Sequence, residues 1–297
     1  MSVYHEVINT PPSQSFRLLR WDDSLAKVRA CVGPGESVPV PGSGERWHAH
    51  RAVELTFIES GAGTRFVGDD IGTIQPPELV LIGADLPHYW SGLGRSAGIS
   101  AQFDSNPRRG WFALPESQAL EPLMTAARRG LLYRSEVATE AGRRLSRMPD
   151  LEPLSRLTEL LGVLVNLSHA LTDARPLCQK PFTITATAPH STEISRAIDL
   201  LIDHFKEELC VDDVCQAVGL SRATLCRRFR RYTGRTVIEF LNGVRIDHAC
   251  RLLVDSSTSI SQVAFQSGFR NLSHFNRQFR RAVGRSPRDH RRGYRDH

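Results

Sequence analysis

The chain has 297 residues, 40% apolar and 24% charged, long enough for two domains with separate cores and balanced like a soluble globular protein. No apolar run reaches the ~18–20 residues that span a bilayer, and Met1-Ser2-Val3-Tyr4-His5-Glu6 has neither the basic nor the apolar region of a signal peptide. We therefore expect a cytoplasmic protein without a membrane partner. Charge is unevenly spread. The whole chain nets +6, but Ser221 to His297 holds 17 Arg and no Lys against 5 acids, a net of +12, leaving about −6 on the rest. That basic block implies a polyanionic partner. The six cysteines (31, 178, 210, 215, 226, 250) form no CxxC pair and read as reduced thiols.

Residues 15 to about 105 read as short strands, such as Leu55-Thr56-Phe57-Ile58 and Leu79-Val80-Leu81-Ile82, separated by Gly, Pro and Asp punctuation. A sandwich or small barrel over residues 1–114 is expected. Gly42-x5-His48-x-His50-x3-Glu54-x6-Gly61 lies inside it, and two imidazoles and a carboxylate at alternate strand positions share one face. Pro77-x5-Gly83-x-Asp85-x-x-His88 follows. The first spacing resembles the first cupin motif throughout. The second resembles the other cupin motif less closely, since the family has Gly, Pro and Gly where this chain has Pro77, Gly83 and Asp85. The resemblance implies a cupin-like barrel. Arg46, Trp47, His48, His50, Glu54, His88 and Trp90 are assigned as a small-molecule effector site with aromatic faces and a few polar groups. No cofactor is assigned; His48, His50, Glu54 and His88 are also the set that a divalent metal would use, and histidines satisfied in a barrel core are a third reading.

Beyond Pro115 the pattern turns helical over Glu116–Gly130, Ser135–Arg147 and Leu151–Leu171. The third segment is apolar on more than one side (Leu154, Leu157, Leu160, Leu161, Leu164, Leu167), so residues 115–172 are read as a dimerisation segment that would make the chain a homodimer. Residues 173–192 read as a linker, and 193–297 as an all-helical domain. The expected class is thus α+β in two domains.

The last hundred residues contain one pattern twice. Val214 to Leu220 returns as Val263 to Phe269, shifted by 49, and Leu225, Arg227, Phe229-Arg230-Arg231 and Gly234-Arg235-Thr236 return shifted by 50. Each copy is a short helix, a Gly-containing turn and an Arg-rich second helix, the pattern of a helix-turn-helix reader of DNA. Ser221 and Asn271 are placed as N-caps of the two reading helices, and Thr236-Val237-Ile238-Glu239 as a capping box opening a helix of ~19 residues, ~28 Å long. Leu225, Phe229 and Tyr232 should face the core, as should Phe275 and Phe279. Arg245 is read either as an internal ion-pair partner or as an exposed edge residue, and Arg288, Arg291 and Arg292 as phosphate contacts.

These residues, with Arg245-Ile246-Asp247-His248-Ala249 and Ser273-His274-Phe275-Asn276-Arg277-Gln278-Phe279, resemble the AraC/XylS family of bacterial transcription regulators over about 100 residues. The resemblance implies binding to double-stranded promoter DNA, usually transcription activation with RNA polymerase as partner, and an effector that is often a sugar. Its base-contacting positions fall on Arg222, Ala223, Cys226 and Arg227, and on Leu272, Ser273, Asn276 and Arg277; Arg230, Arg280 and Arg291 complete the assigned DNA-binding set. The leading expectation is an effector-controlled regulator and not an enzyme, against a metal-dependent cupin enzyme with an attached DNA domain, or a constitutive DNA-binding protein whose barrel only dimerises.

Overall fold

In the computed structural model, which describes residues 4–11, 14–41, 44, 47–181, 191–255 and 258–295, the chain divides into an N-terminal unit and a C-terminal unit that holds every helix from Ser191 onward. The N-terminal strands are β1 (Tyr4–His5), β2 (Phe16–Trp21), β3 (Arg29–Gly33), β4 (Glu36–Pro39), β5 (His48–Ala49), β6 (Val53–Ser60), β7 (Thr64–Val67), β8 (Asp70–Thr73), β9 (Glu78–Ile82), β10 (His88–Ser91), β11 (Ala97–Phe103), β12 (Leu131–Tyr133) and β13 (Arg175–Pro176). They form a five-stranded sheet, β1-β5-β10-β7-β8, and an eight-stranded sheet, β13-β12-β9-β6-β11-β2-β3-β4. Among the described residues neither sheet closes into a ring of hydrogen bonds.

Period-two alternation explains how the larger sheet is used. One face presents Leu18, Val53, Leu55, Phe57, Leu79, Leu81, Ile99 and Ala101 to a core shared with the helices. The other face includes Trp21, Ile58, Val80 and Ile82, in a second core with Trp90 from the smaller sheet. The central strand β6 is accordingly buried at six consecutive positions, Val53 to Ile58. Such a strand needs small residues wherever a large ring crosses it. A Cβ on Gly98 would lie 2.4 Å from the Trp21 ring, and one on Gly142 would lie 2.2 Å from the Phe57 ring.

The helices that cover the first face are α1 (Glu121–Ala127), α2 (Ser135–Arg147) and α3 (Pro153–His169). The continuous helix expected over Glu116–Gly130 is split: a 3-10 turn spans Pro115–Leu120 and α1 follows, with Pro122 in its first turn, where a missing N–H costs nothing. Two short strands were not foreseen. β12 pairs with β9 and β13 with β12. Part of the region read as linker therefore belongs to this unit: Leu177 and Cys178 are buried and their amides donate to Gly130 and Arg129 carbonyls. The Thr183–Thr187 run lies outside the described residues. On α3, Leu160, Val163, Leu164 and Leu167 are buried, while Leu154 and Val165 stay exposed.

Arg156, also on α3, is fully buried and pairs with no carboxylate among the described residues. Its guanidinium donates to four carbonyls: Leu151 at 2.9 Å, Cys31 at 3.2 Å, Gly33 at 2.6 Å and Pro149 at 2.8 Å. It thus ties α3 to β3 and to the turn before the helix.

The C-terminal unit contains α4 (Ser191–Asp203), α5 (Val211–Val218), α6 (Arg222–Thr233), α7 (Val237–Asp255), α8 (Ile260–Gln266), α9 (Leu272–Val283) and α10 (Pro287–Arg295). Local chemistry fixes nearly every boundary. Ser221 and Asn271 cap α6 and α9 with side-chain oxygens, and Gly219, Gly234 and Gly284 end α5, α6 and α9 in the left-handed conformation. Thr236 and Glu239 form the expected capping box at the start of the 19-residue α7. α5 starts at Val211. Cys210 is its N-cap, paired reciprocally with Asp213.

Arg245 fits neither sequence reading. Its Nε donates to the Phe205 carbonyl at 2.7 Å and a terminal nitrogen donates to the Glu207 carbonyl at 2.8 Å, with the guanidinium 5.8 Å from the Phe269 ring centre. It fastens the α4–α5 loop to α7. Gly268 closes against the same loop with φ +83, and a Cβ there would lie 2.5 Å from the Phe205 carbonyl oxygen. Arg291 is likewise occupied, donating to the Leu253 and Thr258 carbonyls at 3.3 and 2.6 Å. Its assignment as a phosphate contact is therefore revised to a tie across the end of α7.

Two tests follow from these contacts. Arg156→Met should leave four carbonyls without their donor and lower stability by about 3 kcal/mol or more; thermal unfolding of the full chain with a far-ultraviolet signal measures it. Burial, helped by neighbouring cations, depresses His248 and His290 to about 4, against ~6.5 in an unfolded chain. The unfolded state then binds more protons below ~6.5, so the C-terminal unit loses stability as pH falls from ~6.5 toward ~4. His248→Asn should flatten that slope between pH ~6.5 and ~5, above the range in which ordinary carboxylates titrate.

Candidate nucleic-acid interface and buried ligand site

The two reading helices superimpose in their exposure, residue by residue. From Ser221 to Arg230 and from Asn271 to Arg280 the sequence of exposed, intermediate and buried positions is identical. Leu225 and Phe229 are buried in the first copy and Phe275 and Phe279 in the second. Arg222, Ala223, Cys226, Arg227 and Arg230 are exposed, as are Leu272, Ser273, Asn276, Arg277 and Arg280. Each set follows from a 3.6-residue period with the core residues at i and i+4, which leaves the flanking positions outward. Arg227, Arg230, Arg277 and Arg280 have no ion-pair partner among the described residues. Arg222 has one: its Nη1 donates to both Asp212 carboxylate oxygens at 2.9 Å, and both side chains are mostly exposed.

In the N-terminal unit, β5 and β10 put His48 and His88 directly opposite one another. His50 follows β5, and Glu54 points inward from β6 of the other sheet. One ligand atom from each of His48, His50, Glu54 and His88 lies within 4.8 Å of the rest, and all four residues are buried. Glu54 accepts from Thr56 at 2.6 Å and from Gln102 at 2.8 Å, and His50 Nε2 stands 3.1 Å from it. The His50 and His88 Nδ1 atoms each face a backbone carbonyl at 2.9 Å, of Ala52 and Leu86, so each Nδ1 carries a proton. His88 Nε2 is buried without a hydrogen-bond partner, 3.6 Å from Glu54. Burial alone would raise the Glu54 pKa, but the His88 and His50 imidazoles outweigh it and hold the carboxyl well below its usual range. Burial also opposes charge on His50, yet the Glu54 hydrogen bond and charge raise its pKa.

Imidazoles fixed through Nδ1 on carbonyls, with Nε2 directed at a shared point beside a carboxylate, are the geometry in which histidine ligates metal. The unpartnered His88 Nε2 fits that role, so the residues present suit a divalent cation. Beside them is a cavity of about 40 Å³ lined by Glu6, Trp21, Glu54, Thr56, Trp90 and Gln102, among others. At ~10–15 Å³ per water centre it has room for a few water molecules.

Of the residues assigned from sequence as an effector site, His48, Glu54 and Trp90 line this cavity. His50 and His88 belong to the adjoining cluster, and Trp47 is buried away from the cavity lining. Arg46 lies outside the described residues. Sequence reading missed Trp21, Thr56, Ser100 and Gln102. For Thr56, Ser100 and Gln102 a signal was available: polar residues at alternate positions of β6 and β11. Asp85 and Gly83 explain the irregular second motif. Asp85 has φ +60, where the family pattern has Gly, and Asp tolerates that region better than most residues. Gly83 donates its amide to the Ala127 carbonyl at 2.9 Å, a bond that Pro cannot make.

All six cysteines are free thiols; Cys31, Cys178 and Cys250 are buried and Cys210 and Cys226 are exposed. Among the described residues no helix is long and apolar enough to cross a membrane.

Comparison with known proteins places the C-terminal unit. A family model described as a helix-turn-helix domain matches residues 214–293. The HTH-type transcriptional activator RhaS of Citrobacter koseri is 34% identical over 117 residues, 39% of this chain and 42% of that protein. The RhaS of Salmonella paratyphi B is 36% identical over 104 residues, 35% of this chain and 37% of its own. The chain thus spans about two fifths of the length of the curated relatives it matches. The solved DNA-binding domain of AdpA, in complex with a target DNA, is 33% identical, covers 35% of this chain and 94% of its own, and gives a TM-score of 0.34. The duplicated reading helices, the helix-turn-helix match and the RhaS relatives agree: the C-terminal unit is a helix-turn-helix domain of the AraC/XylS type.

Proposed function

We propose that the chain is a sequence-specific regulator of transcription, acting as an activator at promoter DNA together with RNA polymerase, and controlled by a small molecule in a cupin-like N-terminal unit. The observation that carries the DNA-binding part is the identical exposure of two Arg-bearing reading helices whose outward side chains differ. Arg222 and Arg227 are shaped for guanine O6 and N7, Asn276 for adenine and Leu272 for a thymine methyl. The site read by one chain should therefore be directional. RhaS, by its name, is a transcriptional activator, which supports activation here.

In the N-terminal unit we read the cavity and the adjoining cluster as one ligand site. His48, His50, Glu54 and His88 would hold a divalent cation, which would offer positive charge and open coordination to an oxygen-bearing effector. Glu6, Thr56, Ser100 and Gln102 supply hydrogen bonds around it, and Trp21 and Trp90 the apolar walls. Control requires the effector to bind two conformations of the chain unequally. A second chain packed on the uncovered Leu154 and Val165 of α3 would make the homodimer. We place the protein in the cytoplasm, where its six thiols stay reduced.

Selection of duplexes from a random-sequence pool by the full chain should enrich one motif made of two unlike half-sites; a palindromic motif or no enrichment would overturn the reading. On that motif Arg227→Ala should relax one or two base pairs by ~1–3 kcal/mol, whereas Arg288→Ala should weaken all sequences alike and reduce the salt slope by about one unit. Fluorescence anisotropy over a salt series separates the two. Elemental analysis of the purified chain should find about one divalent ion per chain, lost in His88→Ala. A metal-free native chain, prepared with divalent ions present, removes the cation from the proposal.

A further inference from the structure

The Arg222–Asp212 pair sits where a charge pair is least expected, on the outward face of a unit that reads a polyanion. Asp212 is 68% exposed and Arg222 64%, so the pair is not a device for burying charge. Its geometry divides the guanidinium. Nη1 donates between the two Asp212 oxygens, each at 2.9 Å. Nη2 and Nε then remain as a fork on the other edge, the arrangement that takes two acceptors of one guanine. Holding Nη1 also fixes the side chain's torsions before DNA arrives, so less rotamer freedom is lost on contact.

The duplication gives an independent comparison. At the shifts that relate the two copies, Asp212 corresponds to Ser261 and Arg222 to Leu272. Acid and base are present together in the first copy and absent together in the second. Every other outward Arg of the two reading faces considered above (Arg227, Arg230, Arg277, Arg280) lacks an ion-pair partner among the described residues. A carboxylate beside Arg222 cancels its charge toward phosphate, so this arginine adds little to sequence-independent attraction.

Resting on the DNA-reading function above, we propose that Asp212 is a positioning residue for sequence readout: it locks Arg222 onto one guanine and keeps it off the phosphates. Asp212 itself touches no base. Its removal therefore acts at the base pair that Arg222 reads and at no other.

The test uses the full chain, the random-duplex selection and anisotropy on the selected duplex, its single-base variants and an unselected duplex. Asp212→Asn should lower the preference for guanine at one position about fivefold, against about tenfold or more for Arg222→Ala at that position. In Asp212→Asn, binding to the unselected duplex should tighten, with a salt slope steeper by about one unit. The double variant should match Arg222→Ala at that position, because Asp212 acts only through Arg222. Asp212→Glu, which keeps the charge, should restore part of the preference. An unchanged guanine preference in Asp212→Asn, or losses spread evenly over all positions, overturns the inference while leaving sequence-specific binding intact. No enrichment by the native chain overturns both. Far-ultraviolet melting of each variant, expected to match the native chain at these exposed positions, excludes unfolding as the cause of any loss.

Discussion

Glu54 is an ionised carboxylate placed between two sheets, 5% exposed, on a strand buried at six consecutive positions. Burying such a group without partners costs far more than any single apolar contact returns. The inner lining is built to answer that cost. Thr56 and Gln102 donate from neighbouring inward positions, His50 closes a third side, and His88 stands opposite across the gap. The next ring of contacts serves those partners: Arg17 holds Glu6 at 2.8 Å and reaches Gln102, and the Leu86 and Ala52 carbonyls set the two imidazoles. Remove the carboxylate and most of these polar groups lose their reason to be inside. The cavity exists because this polar floor cannot be packed as tightly as the Leu- and Phe-rich face on the other side of the same sheet.

The outline of both units was legible in the sequence because local rules decide it. Ser221, Asn271, Thr236 and the C-terminal glycines mark helix ends that any chain with those residues would favour, and they hold in the structure. Alternation identified β6 and β9 for the same reason. What stayed hidden depends on contacts between distant segments. Three residues, Leu131 to Tyr133, are too few to show a period, and they form a strand only because the edge of β9 is available. Asp212 reads as one more acid in a first helical turn until the fold brings Arg222 beside it, ten positions on. Thr56 and Gln102 show in the sequence as alternating polar residues, but their task becomes visible only once Glu54 is known to be buried beside them.

Arginine shows most clearly why composition alone misleads. Arg156, Arg245 and Arg291 all fasten loops by donating to backbone carbonyls, and nothing in their immediate sequence separates them from surface arginines. Guanidinium suits the task, since its five donors are planar and spread around one centre, so one side chain can satisfy carbonyls from several segments. Lysine has the charge without that spread. The Arg-rich character of the C-terminal unit thus serves structure as well as recognition.

It follows that the net charge of +12 over Ser221 to His297 overstates the field that DNA meets. Arg245 and Arg291 are turned to carbonyls; Arg222, Arg251, Arg281 and Arg292 lie within 4 Å of Asp212, Asp247, Glu239 and Asp289. On the outward faces of the reading helices, uncompensated positive charge remains on Arg227 and Arg230 of one and Arg277 and Arg280 of the other, at equivalent positions of the repeat. Counterion release scales with the charges that reach phosphate and not with the charges in the chain. The repeat therefore preserves where charge is delivered, while the outward residues beside it, Arg222 against Leu272 and Cys226 against Asn276, are free to differ. On the proposed reading it is these differing residues, and not the arginines that the repeat keeps in place, that distinguish one copy from the other.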